Sequence, residues 1–217
     1  HNVGALAGFD LAHAIGNVQL ELHNEKVDFA TWCSYKYLNS GPGGVSGLFI
    51  HENHHLKSPA YKGWWGADEQ ERFKMGKIFN PMPGAKAWQL SNAPILSMAA
   101  HKAALDEFEN VDLDKLREKS IALSSALIEG VELIMKIFPH CGFHIITPKN
   151  EKERGSQVSI LTKNNGKKLF EYLTSQNIVV DWREPEVIRM APAAMYNSFD
   201  EIGTVIKAIE AFFATAT

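Results

Sequence analysis

A chain of 217 residues, 45% of them hydrophobic and with charges of both signs, has room for one large or two small domains with a real core. Its formal net charge of −3 and its lack of basic tracts argue against nucleic acid or an anionic membrane surface as the main partner. No apolar stretch approaches transmembrane length, and two isolated cysteines, Cys33 and Cys141, are too few for a disulfide framework or a zinc ribbon, a usage that fits a reducing cytoplasm. The chain opens at His1-Asn2-Val3 without a methionine, signal peptide or basic leader and runs at once into strand-like sequence, so we expect a part of a longer protein.

In chain order, Ala5 to Phe9 is a strand candidate ending at Asp10-Leu11-Ala12-His13. Helical spacing through Ala14, Ile15, Val18 and Leu22 leads to a second strand, Asp28 to Cys33, which ends at Ser34-Tyr35-Lys36-Tyr37 before Gly41-Pro42-Gly43-Gly44. A strand-helix-strand unit predicts parallel strands, whose carboxyl ends carry the ligand site, so Asp10, His13, Tyr35 and Lys36 should share one rim. Val45 to Ile50 is a third strand, and Lys57 to Gln89 is irregular, with Trp64, Trp65 and Trp88. Ser91-Asn92-Ala93-Pro94 reads as a helix start capped by Ser or Asn, and a long helix is expected from about Leu113 to Phe138.

Beyond Pro139 short strands alternate with helices: 143–146, 158–161, a helix near 167–176, strands at 179–181 and 187–190, and a closing helix over 200–214. The fold class is therefore α/β, with a boundary in the helical region around Asp106 to Asp114; we set the domains at 1–108 and 109–217.

A lysine amine attacks a carbonyl only when neutral, and aromatic walls such as Tyr35 and Tyr37 favour that form by burial; an ordinary solvated lysine is the plainer reading of those residues alone. An acidic residue on one strand end and a lysine on the next are what pyridoxal phosphate needs. The carboxylate keeps the pyridine nitrogen protonated, and the lysine holds the aldehyde as a Schiff base. Asp10 and Lys36 fill these roles, with Tyr35 a donor to the phosphate and His13 within reach of the cofactor. Two rival motifs are weaker. His51-Glu52-Asn53-His54-His55 satisfies the H-E-x-x-H zinc pattern, but strand-like sequence precedes it and Pro59 follows closely, so no metal site is expected. The glycine cluster at 41–44 lacks the Lys-Ser/Thr ending of a phosphate loop and reads as a turn.

Four segments together resemble kynureninase, a fold-type I pyridoxal phosphate enzyme: Phe9-Asp10-Leu11-Ala12-His13-Ala14, Trp32-Cys33-Ser34-Tyr35-Lys36-Tyr37-Leu38-Asn39, Gly63-Trp64-Trp65-Gly66 and Ile188-Arg189-Met190-Ala191-Pro192. The resemblance extends over essentially the whole chain. It implies a partial sheet of the large cofactor domain, followed by a small C-terminal α/β domain. It implies Lys36 as Schiff-base lysine and general base, Asp10 as pyridinium partner, and His13 and Tyr35 as further cofactor contacts, with Tyr35 also a candidate to activate water. Trp64 and Asn92 would contact the cofactor from the neighbouring subunit of a homodimer, and Arg189 would bind the substrate α-carboxylate. The implied reaction is hydrolysis of L-kynurenine or its 3-hydroxy form to anthranilate or 3-hydroxyanthranilate plus L-alanine, in tryptophan catabolism and NAD biosynthesis. Asn92 points to the 3-hydroxylated substrate. The N-terminal segment of such enzymes, with phosphate-binding hydroxyls and the ring-stacking aromatic residue, has no counterpart here, so this chain by itself is expected to bind cofactor poorly. The alternatives are another fold-type I enzyme, such as a cysteine desulfurase or aminotransferase, or a non-catalytic dimerisation module. A desulfurase needs a mobile nucleophilic cysteine, for which Cys33 and Cys141 are poorly placed.

Overall fold

Short apolar runs closed by polar or glycine-rich turns make the strands of the first of two compact units, His1–Val111 and Asp112–Thr217, in a computed structural model that describes residues 1–215. In the first unit, β1 (Gly8–Asp10) pairs in parallel with β2 (Phe29–Cys33), setting Asp10 opposite Thr31. Strand β3 (Ser46–Ile50) runs antiparallel on the other side of β2, giving the order β1-β2-β3. The parallel pairing expected between the first two strands is present, but the helix expected between them is not. Residues 12–17 form successive turns, with single helical hydrogen bonds from Ile15 N to Leu11 O and from Val18 N to Ala14 O, both 3.0 Å. Gly16 sits at φ +73°, a left-handed conformation that ends a right-handed helix after one turn.

The apolar cluster of this sheet is small: Leu11, Val27 and Ala30 are buried, with Leu20, Leu22, Trp32 and Phe49 packed against them. Leu6, Phe9 and Phe29 stay exposed. The stretch after β3 is irregular as expected, with 3-10 turns at Trp64–Gly66 and Gly84–Trp88 and a bridge between Ala67 and Pro81. Helix α1 (Ile95–Phe108) begins later than its expected caps. Pro94 occupies the cap position without a side-chain bond, and Ser91 Oγ donates instead to Asn92 Oδ1 at 3.1 Å. A residue before proline avoids the helical region, so Ala93 separates the Ser-Asn pair from the helix. No residue of α1 is buried; Ile95 and Leu96 are 81% and 87% exposed.

The second unit carries the larger core. Helix α2 (Leu113–Ile137) is capped by Asp112, whose carboxylate accepts from Asp114 N and Lys115 N. It buries Leu123, Leu127, Val131 and Ile134 at helical spacing. Strands β4 (Phe143–Ile145), β5 (Val158–Thr162), β6 (Asp181–Arg183) and β7 (Val187–Met190) form an antiparallel sheet in the order β4-β5-β7-β6, with α3 (Gly166–Ser175) between β5 and β6. The expected strand at 179–181 begins only at Asp181, because its pairing with β7 starts there; Val179 is 98% exposed. Helix α4 (Phe199–Thr215) starts with a capping box in which Ser198 N donates to Glu201 Oε2 and Glu201 N to Ser198 Oγ. It packs on α2 where Gly130 leaves room for Ile206; a Cβ on Gly130 would lie 2.5 Å from Ile206 Cγ1. Phe213 of α4 is fully buried and meets the rings of Phe138, His140, Phe143 and Phe212.

Candidate functional site

The rim at the carboxyl ends of β1 and β2 gathers the first group of candidate residues. Asp10 ends β1, is exposed, and folds into a tight turn in which its Oδ1 accepts from Ala12 N at 2.9 Å. Leu11 N donates to Thr31 O at 2.8 Å, carrying the strand pairing to this point. His13 follows on the same turn, exposed, with its carbonyl accepting from Asn17 Nδ2. The turn after β1 lies against the loop that holds Lys36: a Cβ on Gly16 would stand 3.0 Å from the Tyr37 carbonyl carbon and 3.1 Å from Leu38 Cδ2. Sequence segments that sit more than 20 residues apart thus meet at one edge of the sheet.

Lys36 is half-buried on the loop after β2. The loop is closed by Asn39 N donating to Lys36 O at 3.0 Å and Ser40 N to Ser34 O at 3.1 Å, with Asn39 in the left-handed region at φ +58°. Beneath it lies a buried knot of hydroxyls. Ser34 Oγ and Ser40 Oγ are 2.5 Å apart, and Ser34 Oγ also donates to Val45 O. Gly44 is needed here, since a Cβ would stand 2.2 Å from Ser40 Oγ. Sequence reading did not single out Ser34 or Ser40; their pairing depends on how the loop closes.

Tyr35 is half-exposed, and its hydroxyl pKa is raised, first by a hydrogen bond with the Cys33 thiol and further by the negative charge of Asp10. Both effects disfavour loss of the phenol proton, and at neutral pH the hydroxyl is a donor as an ordinary tyrosine is. A carboxylate, an amine, a phenol and an imidazole on neighbouring strand ends match the donor set that a pyridine ring bearing an aldehyde and a phosphate requires.

Trp64 and Asn92 lie in another part of the first unit. Trp64 packs edge-on to Trp65 at 5.0 Å and against Phe73 at 6.0 Å. Gly63 presses on Leu90, so closely that a Cβ would lie 2.1 Å from Leu90 Cα; this brings the Trp64 turn beside the segment leading to Asn92. The contacts described for Trp64 and Asn92 stay within that stretch and do not reach the rim of Asp10 and Lys36. The histidines of the H-E-x-x-H stretch serve local structure. Glu52–His54 is a single 3-10 turn capped by His51 Nδ1, His54 Nε2 pairs with buried Asp28, and His55 Nε2 lies 3.2 Å from Ile50 O.

In the second unit Arg189 lies on β7 between buried Ile188 and Met190, so its side chain projects from the opposite face of the sheet. Its guanidinium pairs with Asp181 of β6, a partner that the strand assignment from sequence did not reveal.

A family model described as the kynureninase C-terminal domain matches residues 116–209. Similar curated proteins include the kynureninase of Flavobacterium psychrophilum, 47% identical over 95% of this chain and 50% of that protein. That of Myxococcus xanthus is 44% identical over 97% of this chain and 49% of its own length. Among solved structures, an apo cysteine desulfurase from Thermococcus onnurineus NA1 superposes with a TM-score of 0.79 at 16% identity, covering 99% of this chain and 54% of that one. A C-DES variant with glycine covalently linked to its PLP cofactor gives 0.71 at 19% identity, covering 90% and 49%. At such identities the likeness speaks for the fold alone. The mixed α/β fold, with a three-stranded and a four-stranded sheet, is the one these fold-type I structures share. Within that fold the sequence likeness is specific: nearly the whole chain is similar to curated kynureninases, and residues 116–209 match the C-terminal domain of that family. It spans about half the length of the curated relatives it matches.

Proposed function

We propose that the protein containing this chain is a pyridoxal-phosphate-dependent hydrolase that cleaves L-kynurenine or 3-hydroxy-L-kynurenine to anthranilate or 3-hydroxyanthranilate and L-alanine. The observation that carries this reading is Asp10 at the end of β1 and Lys36 just after the neighbouring parallel strand β2, in a chain 47% identical to a kynureninase over 95% of this chain's length. Residues 1–108 would contribute the later part of the cofactor domain and 109–217 the small domain.

Bound pyridoxal phosphate would supply an aldehyde for the amine of lysine or substrate and a ring that draws electrons from the substrate α-carbon. Lys36 Nζ would anchor that aldehyde and, once the substrate amine replaces it, accept the α-proton as general base. The Asp10 carboxylate would hold a proton on the ring nitrogen, and His13 would contact the cofactor from the same rim. The Tyr35 phenol would donate to the phosphate and is our candidate for orienting the water that adds to the side-chain ketone. Arg189 would hold the substrate α-carboxylate through a planar pair of N–H donors, a geometry that lysine cannot offer.

A homodimer would bring Trp64 and Asn92 to the partner's cofactor, and Asn92 would favour the 3-hydroxylated substrate. We place the enzyme in the cytoplasm, in tryptophan breakdown towards NAD. The cysteine desulfurase alternative is less well supported: Cys141 is buried and Cys33 lies at a strand end, so neither has the mobility a sulfur carrier needs. Steady-state cleavage of both substrates by the full-length protein tests the reading. Release of the matching anthranilate is expected, with higher kcat/KM for 3-hydroxy-L-kynurenine; no cleavage of either would overturn it.

A further inference from the structure

Arg189 shares its carboxylate partner with a second arginine. Asp181 lies directly opposite Arg189 across the antiparallel pair of β6 and β7, and both Nε and Nη2 of Arg189 reach the same oxygen, Asp181 Oδ2. Arg183, two residues along β6 and so on the same face, brings its Nε to that oxygen at 2.9 Å. Exposure of the three side chains is graded: 24% for Arg189, 44% for Asp181 and 60% for Arg183.

Two guanidiniums, both charged at any pH of interest, face one carboxylate and give this trio a formal charge of +1. The sum matters for the proposed role of Arg189. Paired with Asp181 alone, Arg189 would be neutralised, and an incoming carboxylate would meet the Asp181 anion as well as the cation. With Arg183 on the same oxygen, part of the Asp181 charge is answered from the other side and the attraction for a second anion survives. Geometry adds a second effect. Binding through the Nε–Nη2 edge fixes the guanidinium plane and leaves its Nη1–Nη2 edge as the fork for a planar, two-oxygen ligand.

Resting on the reading of Arg189 as the substrate-carboxylate residue, we propose that Asp181 and Arg183 complete that receptor. Asp181 is a positioning residue that sets the plane of the Arg189 guanidinium, and Arg183 keeps the cluster net positive so that it takes a free α-carboxylate.

The test uses the full-length protein in four variants, R183Q, D181N, D181E and R189K, assayed with L-kynurenine at low and high salt, with thermal melts alongside. R183Q removes an exposed edge-strand charge and is expected to fold normally. It should raise KM about three- to tenfold with kcat within about twofold, and flatten the salt dependence of kcat/KM. D181N should raise KM at least as far, with recovery in D181E. Unchanged KM in R183Q, with R189K strongly impaired, would overturn the proposal while leaving the role of Arg189 intact. Unchanged KM in R189K would overturn the underlying reading of Arg189. If D181N melts before assay temperature, R183Q and its salt profile decide alone.

Discussion

Replacing Ser34 with alanine should loosen the loop that carries Lys36, by an amount that follows from its contacts. Ser34 is fully buried, its Oγ lies 2.5 Å from Ser40 Oγ, and it donates to the carbonyl of Val45. Removal deletes both bonds and leaves the buried Ser40 hydroxyl and the half-buried Val45 carbonyl to find other partners. A buried polar group left unpaired costs about 1–3 kcal/mol, so a loss near the middle of that range, about 2 kcal/mol, is expected. The effect should be local, since the knot closes only residues 34–45. Hydrogen exchange reads it directly. The amide of Ser40, bonded to Ser34 O at 3.1 Å, should exchange about 30-fold faster, because each 1.4 kcal/mol is about a factor of ten. Amides of β7 in the other unit should keep their rates. Ser40→Ala, which removes one bond of the knot, should have about half the effect. If both variants left exchange of the residue-40 amide, corrected for its intrinsic rate, within about twofold of the parent, the hydroxyl knot would not be what holds this loop.

Other consequences can be read in the same way. Phe213→Ala removes a fully buried ring from a cluster of four other aromatic side chains, and should cost about 3–5 kcal/mol in a denaturant titration of the second unit; a loss under about 1 kcal/mol would mean that the cluster collapses to fill the space. The Asp28 carboxyl is held below its ordinary value of 3.8, first by its bond with His54 and then by the amide of Ala7. Because the folded pKa is depressed, this group's contribution is complete above the ordinary carboxylate pKa and disappears as pH falls through the lower folded value. Asp28→Asn should therefore destabilise the first unit at neutral pH, with a difference from the parent that shrinks only in acid; a difference that stayed constant down to the acid limb would contradict this assignment.

The sequence was readable where local pattern and tertiary structure agree. Strand β2 and the lysine loop beyond it follow from a short aromatic run stopped by glycines, and β7 covers Val187–Met190, the strand expected at 187–190. The long helix is marked by apolar residues at helical spacing from Leu123 to Ile134 and by Asp112 in front. Elsewhere a single residue outweighed the pattern. Gly16 ends the helical turns between β1 and β2, and Pro94 separates Ser91 and Asn92 from the helix they were expected to cap. The second group of misses depends on partners remote in sequence. Asp181 and Arg183 become part of an arginine cluster only through the register of β6 on β7, and Ser34 meets Ser40 only once the loop has closed. Lys36, Asp10 and Tyr35 could be placed on one edge from the order of strands. What the strand order did not carry was the electrostatics between them, in which Cys33 first and Asp10 to a lesser degree raise the pKa of the Tyr35 phenol.

The most direct test of the account is to locate the cofactor attachment. The full-length protein would be loaded with pyridoxal phosphate, reduced with borohydride and digested, and the modified peptide identified by mass spectrometry, in parallel with kynurenine cleavage by the parent and Lys36→Ala. The account predicts a pyridoxyl group on Lys36, cleavage by the parent, and neither label at this position nor cleavage in the variant. A label fixed to a different lysine, or a Lys36→Ala protein that still cleaves kynurenine at the parent rate, would contradict it.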